Sequence, residues 1–230
     1  MHIAQSKHPS VAEQHARLRA AEVAVRNAAA ANGWKVPEAR RAELRERVEE
    51  LSEGRNTVMY SAEGCPGIYV RLNADTTLLT GTVASETNGG QVHPAFQLGS
   101  ALRTHFFAGK YPGAVVDQAT GLEVADPSGT NANRRMVSLP GMTPVASIDF
   151  NLSSTTARQN GAGFHLLTNA EWAWMYLQTL QWGFEPRGAN GNNGRDYLRS
   201  EESSMRLNNP SHGRSAAGTG PVSWTHDGTP

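Results

Sequence analysis

The sequence predicts an α+β fold, in which a helical hairpin is followed by short strands, long loops and one further helix. Residues 10–54 carry apolar side chains at helical spacing. From residue 55 onward, short runs of β-branched and aromatic residues alternate with loops rich in glycine, asparagine and proline. Strands and helices do not alternate regularly along the chain, which favours α+β over α/β.

The first helix is predicted to begin at a capping box, in which Ser10 and Glu13 satisfy each other's backbone amides. Asn32-Gly33 is typical of a helix end. The second helix begins near Pro37, which the first helical turn tolerates, and ends at Gly54. An exposed ion pair between Glu43 and Arg47 is expected on it. The two apolar stripes consist of Leu18, Ala21, Val25 and Ala28, and of Leu44, Val48 and Leu51.

Both stripes are narrow and contain much alanine, so the hairpin needs a partner to bury its apolar face. Two arrangements are open: the hairpin lies on its own domain, or it packs on a neighbouring chain or a larger assembly. We treat residues 1–54 as a helical anchor or assembly segment, and we expect the remainder to fold without it.

The strand region opens with a predicted β-hairpin. Residues 57–60 and 68–72 have strand composition, and they flank a turn that contains Cys65. Further strands are predicted at 105–111 and 114–116, whereas residues 73–94 and 126–133 are polar and predicted to be loops.

One more helix is predicted over residues 168–182. Thr168 and Glu171 form a second capping box, and Gly183 marks the end of the helix. The run between them is apolar on nearly every face, which is typical of a buried helix. We expect Trp172, Met175 and Tyr176 to lie against the central sheet.

The bulk composition excludes several classes of protein. The 230 residues include 21 basic and 21 acidic side chains, so the chain lacks the charge excess that binds nucleic acid or an anionic membrane. No apolar run is long enough to span a bilayer, and no signal peptide is recognisable. Cys65 is the only cysteine, so an intramolecular disulfide and an all-cysteine metal site are both excluded.

Three segments carry a specific resemblance: Gly163–Trp172, Pro186–Gly194 and Gly218–Gly228. In this order they resemble phage and prophage proteins whose C-terminal domain is similar to the formylglycine-generating enzyme and to the variable proteins of diversity-generating retroelements. The upstream segments His93–Phe96, Gly109–Tyr111 and Ser138–Gly141 are similar to those that precede the helix in the phage members. The resemblance covers roughly residues 55–230 and leaves the N-terminal helices out.

The resemblance implies a C-type-lectin-like domain with a binding surface on its long loops. Residues 55–150 would form a β-rich region leading into the domain, and residues 151–230 its first part. In the family, a glycine- and tryptophan-rich strand region follows the segment that corresponds to Gly218–Pro221. The domain is therefore expected to be truncated at its C-terminus. Either the chain is a fragment of a longer protein, which we favour, or the short domain is completed by a neighbouring chain.

The function that the resemblance implies is host recognition, adhesion or another role on the surface of a phage particle. The expected location is the virion, assembled in the bacterial cytoplasm. The expected partners are other capsid or tail proteins, further copies of the chain, and a host cell-surface receptor or glycan. Nucleic acid, membrane insertion and cofactors are not expected.

Catalysis is not expected, because the enzyme of this superfamily uses cysteines near its C-terminus and Cys65 lies far upstream in a hairpin turn. A structural or exposed thiol is the simpler interpretation of Cys65. His165 lies in an apolar run and is interpreted as a core histidine, and Glu171 as a helix cap. The histidines show no helical metal-ligand spacing, so no metal site is predicted.

Binding residues are predicted in the two glycine-rich segments near the C-terminus. Amide, carboxylate and aromatic side chains on such loops suit sugar hydroxyls and calcium, although they also stabilise long loops through backbone hydrogen bonds. The candidates are Arg187, Asn190, Asn192, Asn193, Asp196, Trp224, His226 and Asp227.

Two further functions remain open at this stage. An enzyme on the formylglycine-generating-enzyme fold would need cysteines or an acid–base pair that the sequence does not identify. A purely structural capsid or tail decoration protein would use the N-terminal helices as its docking element.

Overall fold

The computed structural model describes residues 10–74 and 92–181. This part of the chain is a mixed α+β structure, as predicted from the sequence, and it contains four α-helices and small antiparallel sheets. Within the described residues, no helix has both the length and the apolar character needed to cross a bilayer.

The N-terminal hairpin consists of α1 (Val11–Ala30) and α2 (Glu38–Leu51). The capping box is confirmed: Ser10 Oγ accepts a hydrogen bond from the Glu13 amide at 3.2 Å, and the Glu13 carboxylate accepts one from the Ser10 amide at 2.7 Å. The ion pairs on α2 differ from the predicted Glu43–Arg47 pair. Glu43 lies 4.0 Å from Arg40 and Arg47 lies 3.0 Å from Glu50, both one turn away in the opposite direction.

The predicted β-hairpin is confirmed. Strands β1 (Asn56–Tyr60) and β2 (Pro66–Asn73) pair in antiparallel register, with Val58 opposite Ile68. The other edge of β2 pairs with β5 (His105–Gly109), which completes a three-stranded sheet. Of the predicted loop at 73–94, residues 75–91 lie outside the described residues.

A second antiparallel sheet has β6 (Ala114–Asp117) at its centre, between β7 (Leu122–Glu123) and β8 (Arg134–Val137). The predicted loop at 126–133 joins β7 to β8 and contains no helix or strand. A short hairpin of β3 (Gln97–Leu98) and β4 (Ala101–Leu102) precedes β5.

The main core is shared by the helical hairpin and both three-stranded sheets. Val25 of α1, Val48 of α2, Val58 of β1, Ile68 of β2 and Val116 of β6 are completely buried in one cluster. The turn between the helices is also fixed by hydrogen bonds, from the Trp34 indole to the Gly121 carbonyl (3.0 Å) and from the Val36 amide to the Gly64 carbonyl (2.9 Å). The hairpin therefore lies on its own domain; contact with another subunit stays a prediction.

Two helices follow the second sheet: α3 (Phe150–Arg158), which the sequence did not predict, and α4 (Asn169–Gln181). Asp149 caps α3 by accepting a hydrogen bond from the Leu152 amide at 2.8 Å. The capping box of α4 is confirmed, because Thr168 and Glu171 exchange hydrogen bonds of 2.9 and 3.2 Å.

The predicted burial of Trp172 is wrong. Its side chain is 57% exposed, whereas Trp174 is 1% exposed and packs edge-on against Phe96, with ring centroids 5.1 Å apart. Positions two apart lie about 200° apart around a helix, so both indoles cannot face the same neighbour. Met175 and Tyr176 are partly buried, and Tyr176 stacks on Trp172.

Candidate functional site

The binding residues predicted from the sequence lie in the C-terminal part of the chain, outside the described residues. They are Arg187, Asn190, Asn192, Asn193, Asp196, Trp224, His226 and Asp227. Their role in ligand binding stays a prediction.

Within the described residues, a cavity of about 320 Å³ lies where the β5–β6 turn meets the segment between α3 and α4. This volume is at the lower end of the range of about 300–1,000 Å³ that ligand sites occupy. Side chains that line the cavity include Tyr69, Lys110, Met136, Asn160, Phe164 and His165.

The walls of the cavity are largely apolar. The rings of Tyr69 and Phe164 meet edge to face, with centroids 5.9 Å apart. Burial raises the pKa of Tyr69, so its hydroxyl stays protonated at neutral pH. Asn160 donates from Nδ2 to the Met136 carbonyl at 2.6 Å, while its buried Oδ1 has no hydrogen-bond partner within the described ranges. The cavity thus combines aromatic rings with a few polar groups, as small-ligand sites do.

A buried polar cluster adjoins this cavity through Lys110, whose ammonium lies 2.6 Å from Glu22 Oε1. Glu22 is on α1 and is only 1% exposed. The Tyr111 hydroxyl donates to the other oxygen of Glu22 and accepts a hydrogen bond from Arg19 at 3.0 Å. Burial, with the neighbouring Glu22 charge, raises the pKa of Tyr111. The cluster ties α1 to the turn that forms one wall of the cavity.

The interpretation of His165 as a core histidine is wrong. Its side chain is 40% exposed, and Nε2 lies 3.2 Å from the Glu171 carboxylate while Nδ1 lies 2.9 Å from the Gly163 carbonyl oxygen. The role of Glu171 as a cap is confirmed, and this buried carboxylate also lies 4.0 Å from Arg103. Glu171 therefore fixes the loop that leads from the cavity into α4.

Cys65 is buried at the end of the β1–β2 turn, with 4% of its surface exposed. Burial raises the pKa of its thiol to about 12, so the reactive thiolate is scarce at neutral pH. Nor do the described residues contain a group of three or more histidine, cysteine, aspartate or glutamate side chains arranged to hold a metal ion.

Sequence reasoning assigned no binding role to the residues that form the cavity and the adjoining cluster, although Lys110, Tyr111 and His165 lie in segments that carry the family resemblance. One sequence feature does point to Glu22. It lies four residues after Leu18 and three before Val25, so helical spacing places it on the apolar stripe of α1. A charged residue there needs a partner inside the protein. Nothing in the local sequence around Lys110 identifies that partner.

Comparison with known proteins gives no family assignment: the chain matches neither a protein-family model nor a curated protein.

Proposed function

We propose that this chain is a non-enzymatic bacteriophage structural protein that binds a host receptor or other virion proteins through a C-type-lectin-like domain. The observation that carries the proposal is the ordered set of three motifs at 163–172, 186–194 and 218–228. On this proposal the protein is part of the virion, and the loops that contain the second and third motifs form the binding surface.

The local structure of the first motif supports the proposal. Residues 164–167 line the cavity and lead towards α4, and Glu171 caps that helix by exchanging hydrogen bonds with Thr168. This arrangement positions a loop precisely beside a concave surface, which is what recognition of a ligand requires. The first motif therefore forms part of a concave surface of the kind that a binding protein needs.

The chemistry of the described site also agrees better with binding than with nucleophilic catalysis. The one thiol of the chain is buried and held in its protonated form. Beside the cavity, His165 contacts the Gly163 carbonyl oxygen and Glu171 is engaged in the cap of α4. Groups that hold a loop in this way are less available to transfer protons to a substrate.

The proposal is tested first on particles. Antibodies against the full chain should label purified virions of the phage whose genome encodes it, and the purified chain should bind to host cells or to isolated virion proteins. Label that stays in the lysate, together with an absence of binding to either partner, would contradict the proposal.

Variants then test the predicted binding loops. Asn192→Ala and Trp224→Ala should reduce binding about five- to thirtyfold, which corresponds to a loss of about 1–2 kcal/mol at a factor of ten per 1.4 kcal/mol. Asn133→Ala is the matched control, because Asn133 is exposed on the unrelated loop between β7 and β8. Equal loss in all three variants would show that binding is not specific to those loops.

A further inference from the structure

The buried polar cluster around Glu22 brings an amine, a carboxamide and a carboxylate into contact. Lys110 Nζ lies 2.6 Å from Glu22 Oε1, and the side-chain amide of Asn56 lies beside both. These three residues come from the β5–β6 turn, α1 and the first position of β1, so only the fold unites them.

The orientation of the Asn56 amide decides what these groups can do. In one orientation Nδ2 donates to Glu22 Oε1 at 3.4 Å and faces the Lys110 ammonium, another donor. In the other, Oδ1 accepts from Lys110 Nζ at 3.0 Å and Nδ2 donates to the Arg55 carbonyl at 3.3 Å. We adopt the second orientation, because it replaces the contact between two donors, Nδ2 and the Lys110 ammonium, by a hydrogen bond. The lysine nitrogen then lies against the polarised carbonyl of the amide.

From this geometry we propose that Lys110 and Asn56 join in an intramolecular isopeptide bond, with Glu22 as the general base. Glu22 takes a proton from Lys110 Nζ, and the free amine attacks Cγ of Asn56. The new Nζ–Cγ bond forms as the Cγ–Nδ2 bond breaks. Glu22 passes this first proton to the amide nitrogen, which leaves as ammonia. Glu22 then accepts the second proton that Nζ loses as the secondary amide forms, and passes it to the ammonia, which departs as ammonium. One protonated lysine and one asparagine thus give one secondary amide and one ammonium ion, and no oxidant, reductant or further reactant is needed.

The surroundings favour this reaction over a simple ion pair. Glu22 is 1% exposed and Asn56 7% exposed, so little water competes for the amide carbon. Proton transfer from Nζ to the carboxylate removes the charge from Glu22, which is buried, and from Lys110, whose side chain is 27% exposed. The Tyr111 hydroxyl donates to the second oxygen of Glu22 and orients the carboxylate, while its ring lies under Lys110, 5.8 Å from Nζ.

The choice of lysine at this position is informative. The chain has 21 basic residues, of which only Lys7, Lys35 and Lys110 are lysines. Arginine forms buried ion pairs at least as well as lysine but stays protonated and cannot act as a nucleophile. An ion pair alone would not explain why this arginine-rich sequence places a lysine at the buried carboxylate.

The bond would connect the start of β1 to the end of β5 across the sheet. Such a link constrains the unfolded chain much as a disulfide does, without depending on redox conditions. This consequence is independent of the proposed virion role, because the reaction needs only the described fold.

The test is a peptide map of the purified full chain after incubation at neutral pH. The expected product is a tryptic species in which the peptides containing Asn56 and Lys110 are joined, with a mass lower by one ammonia and with cleavage after Lys110 blocked. Intact mass alone does not decide, because succinimide formation at an Asn-Gly pair such as Asn160-Gly161 loses the same mass.

Variants assign the roles. Lys110→Arg should abolish the linked species, and Glu22→Gln should slow its formation about a hundredfold, the usual contribution of a general base. Lys35→Arg, at an exposed lysine, is the control and should link as the parent chain does. If the variants fail to fold, the parent map still decides: a completely unlinked Lys110 peptide from folded parent protein overturns the proposal. A link that forms equally fast in folded Glu22→Gln also overturns it.

Discussion

Arg135 and Glu63 illustrate how single residues connect separate parts of this fold. Arg135 of β8 is 7% exposed, and its guanidinium lies 3.1 Å from the carboxylate of Glu63 in the β1–β2 turn. The same guanidinium donates to the carbonyls of Ala132 and Arg134 at 2.7 and 2.8 Å. A buried guanidinium needs acceptors for its donors. Arg135 finds them both in the β1–β2 turn and in the second sheet, so its side chain links the two.

This pair predicts a measurable dependence of stability on pH. The hydrogen bond from Arg135 lowers the pKa of Glu63 from 4.5 to about 2. A lowered carboxyl pKa stabilises the folded state above the unfolded value, and this contribution disappears as the pH falls from about 4.5 toward 2. Glu63 is 45% exposed, so solvent screening limits the effect to about 1 kcal/mol or less.

The prediction is checked by urea unfolding of the parent and of Glu63→Gln at pH 7 and pH 3. The variant should be less stable than the parent at pH 7, and the difference should shrink at pH 3. A difference of equal size at both values would show that the ion pair does not cause it.

At the scale of elements, local sequence features predicted where α1 and α4 begin. Both begin at capping boxes, because the hydroxyl and carboxylate that satisfy the first amides lie three residues apart in the sequence. The strands of the β1–β2 hairpin were also predictable from composition. Helix α3 was missed, because its residues Phe150–Arg158 are rich in serine and threonine, and only the Asp149 cap marks its start.

The buried face of α4 was not predictable from its sequence. Aromatic or long apolar side chains occur on nearly every face of this helix, so periodicity does not select one. The structure selects Trp174, which contacts both Phe96 and the ring of His93. The neighbours that decide this come from a distant part of the chain.

This difference between the two tryptophans of α4 can be tested by substitution. Trp174→Ala should lower the free energy of unfolding by about 3–5 kcal/mol, because it leaves a large cavity beside Phe96. Trp172→Ala removes an exposed ring and should change stability by about 0.5 kcal/mol or less. Thermal or urea unfolding of both variants measures the difference. Equal destabilisation would mean that α4 packs through both faces.

At the scale of the whole molecule, the candidate site depends on contacts that sequence reasoning cannot supply. The cavity joins Tyr69 of β2, Lys110 after β5 and Phe164 before α4, which are far apart along the chain. Each residue has an ordinary local environment in the sequence, and only the tertiary structure brings them together. The residues that composition did suggest lie in the glycine-rich C-terminal segments, which are outside the described residues.

The shared core also changes what is expected of the N-terminal helices. The sequence suggested that residues 1–54 could be removed without unfolding the remainder. In the structure, Val25 and Val48 bury Val58 and Ile68 in a single cluster, and Arg45 Nε donates to the Val58 carbonyl at 2.9 Å. Removing the helices would expose the apolar side chains of β1 and β2 and remove the hydrogen bond from Arg45 to β1.

We therefore predict that a chain lacking residues 1–54 will not fold cooperatively, as measured by circular dichroism and urea unfolding. Leu44→Ala in the intact chain should reproduce part of this loss, about 2–5 kcal/mol, because Leu44 is 6% exposed in the shared core. Glu46→Ala, at an exposed position of the same helix, is the control and should change stability little. A truncated chain that unfolds cooperatively at the parent's urea midpoint would show that the helices do not contribute to the stability of the remaining domain. An assembly role must accordingly be tested on the intact chain, since a truncation that unfolds the domain abolishes oligomers whatever surface they use.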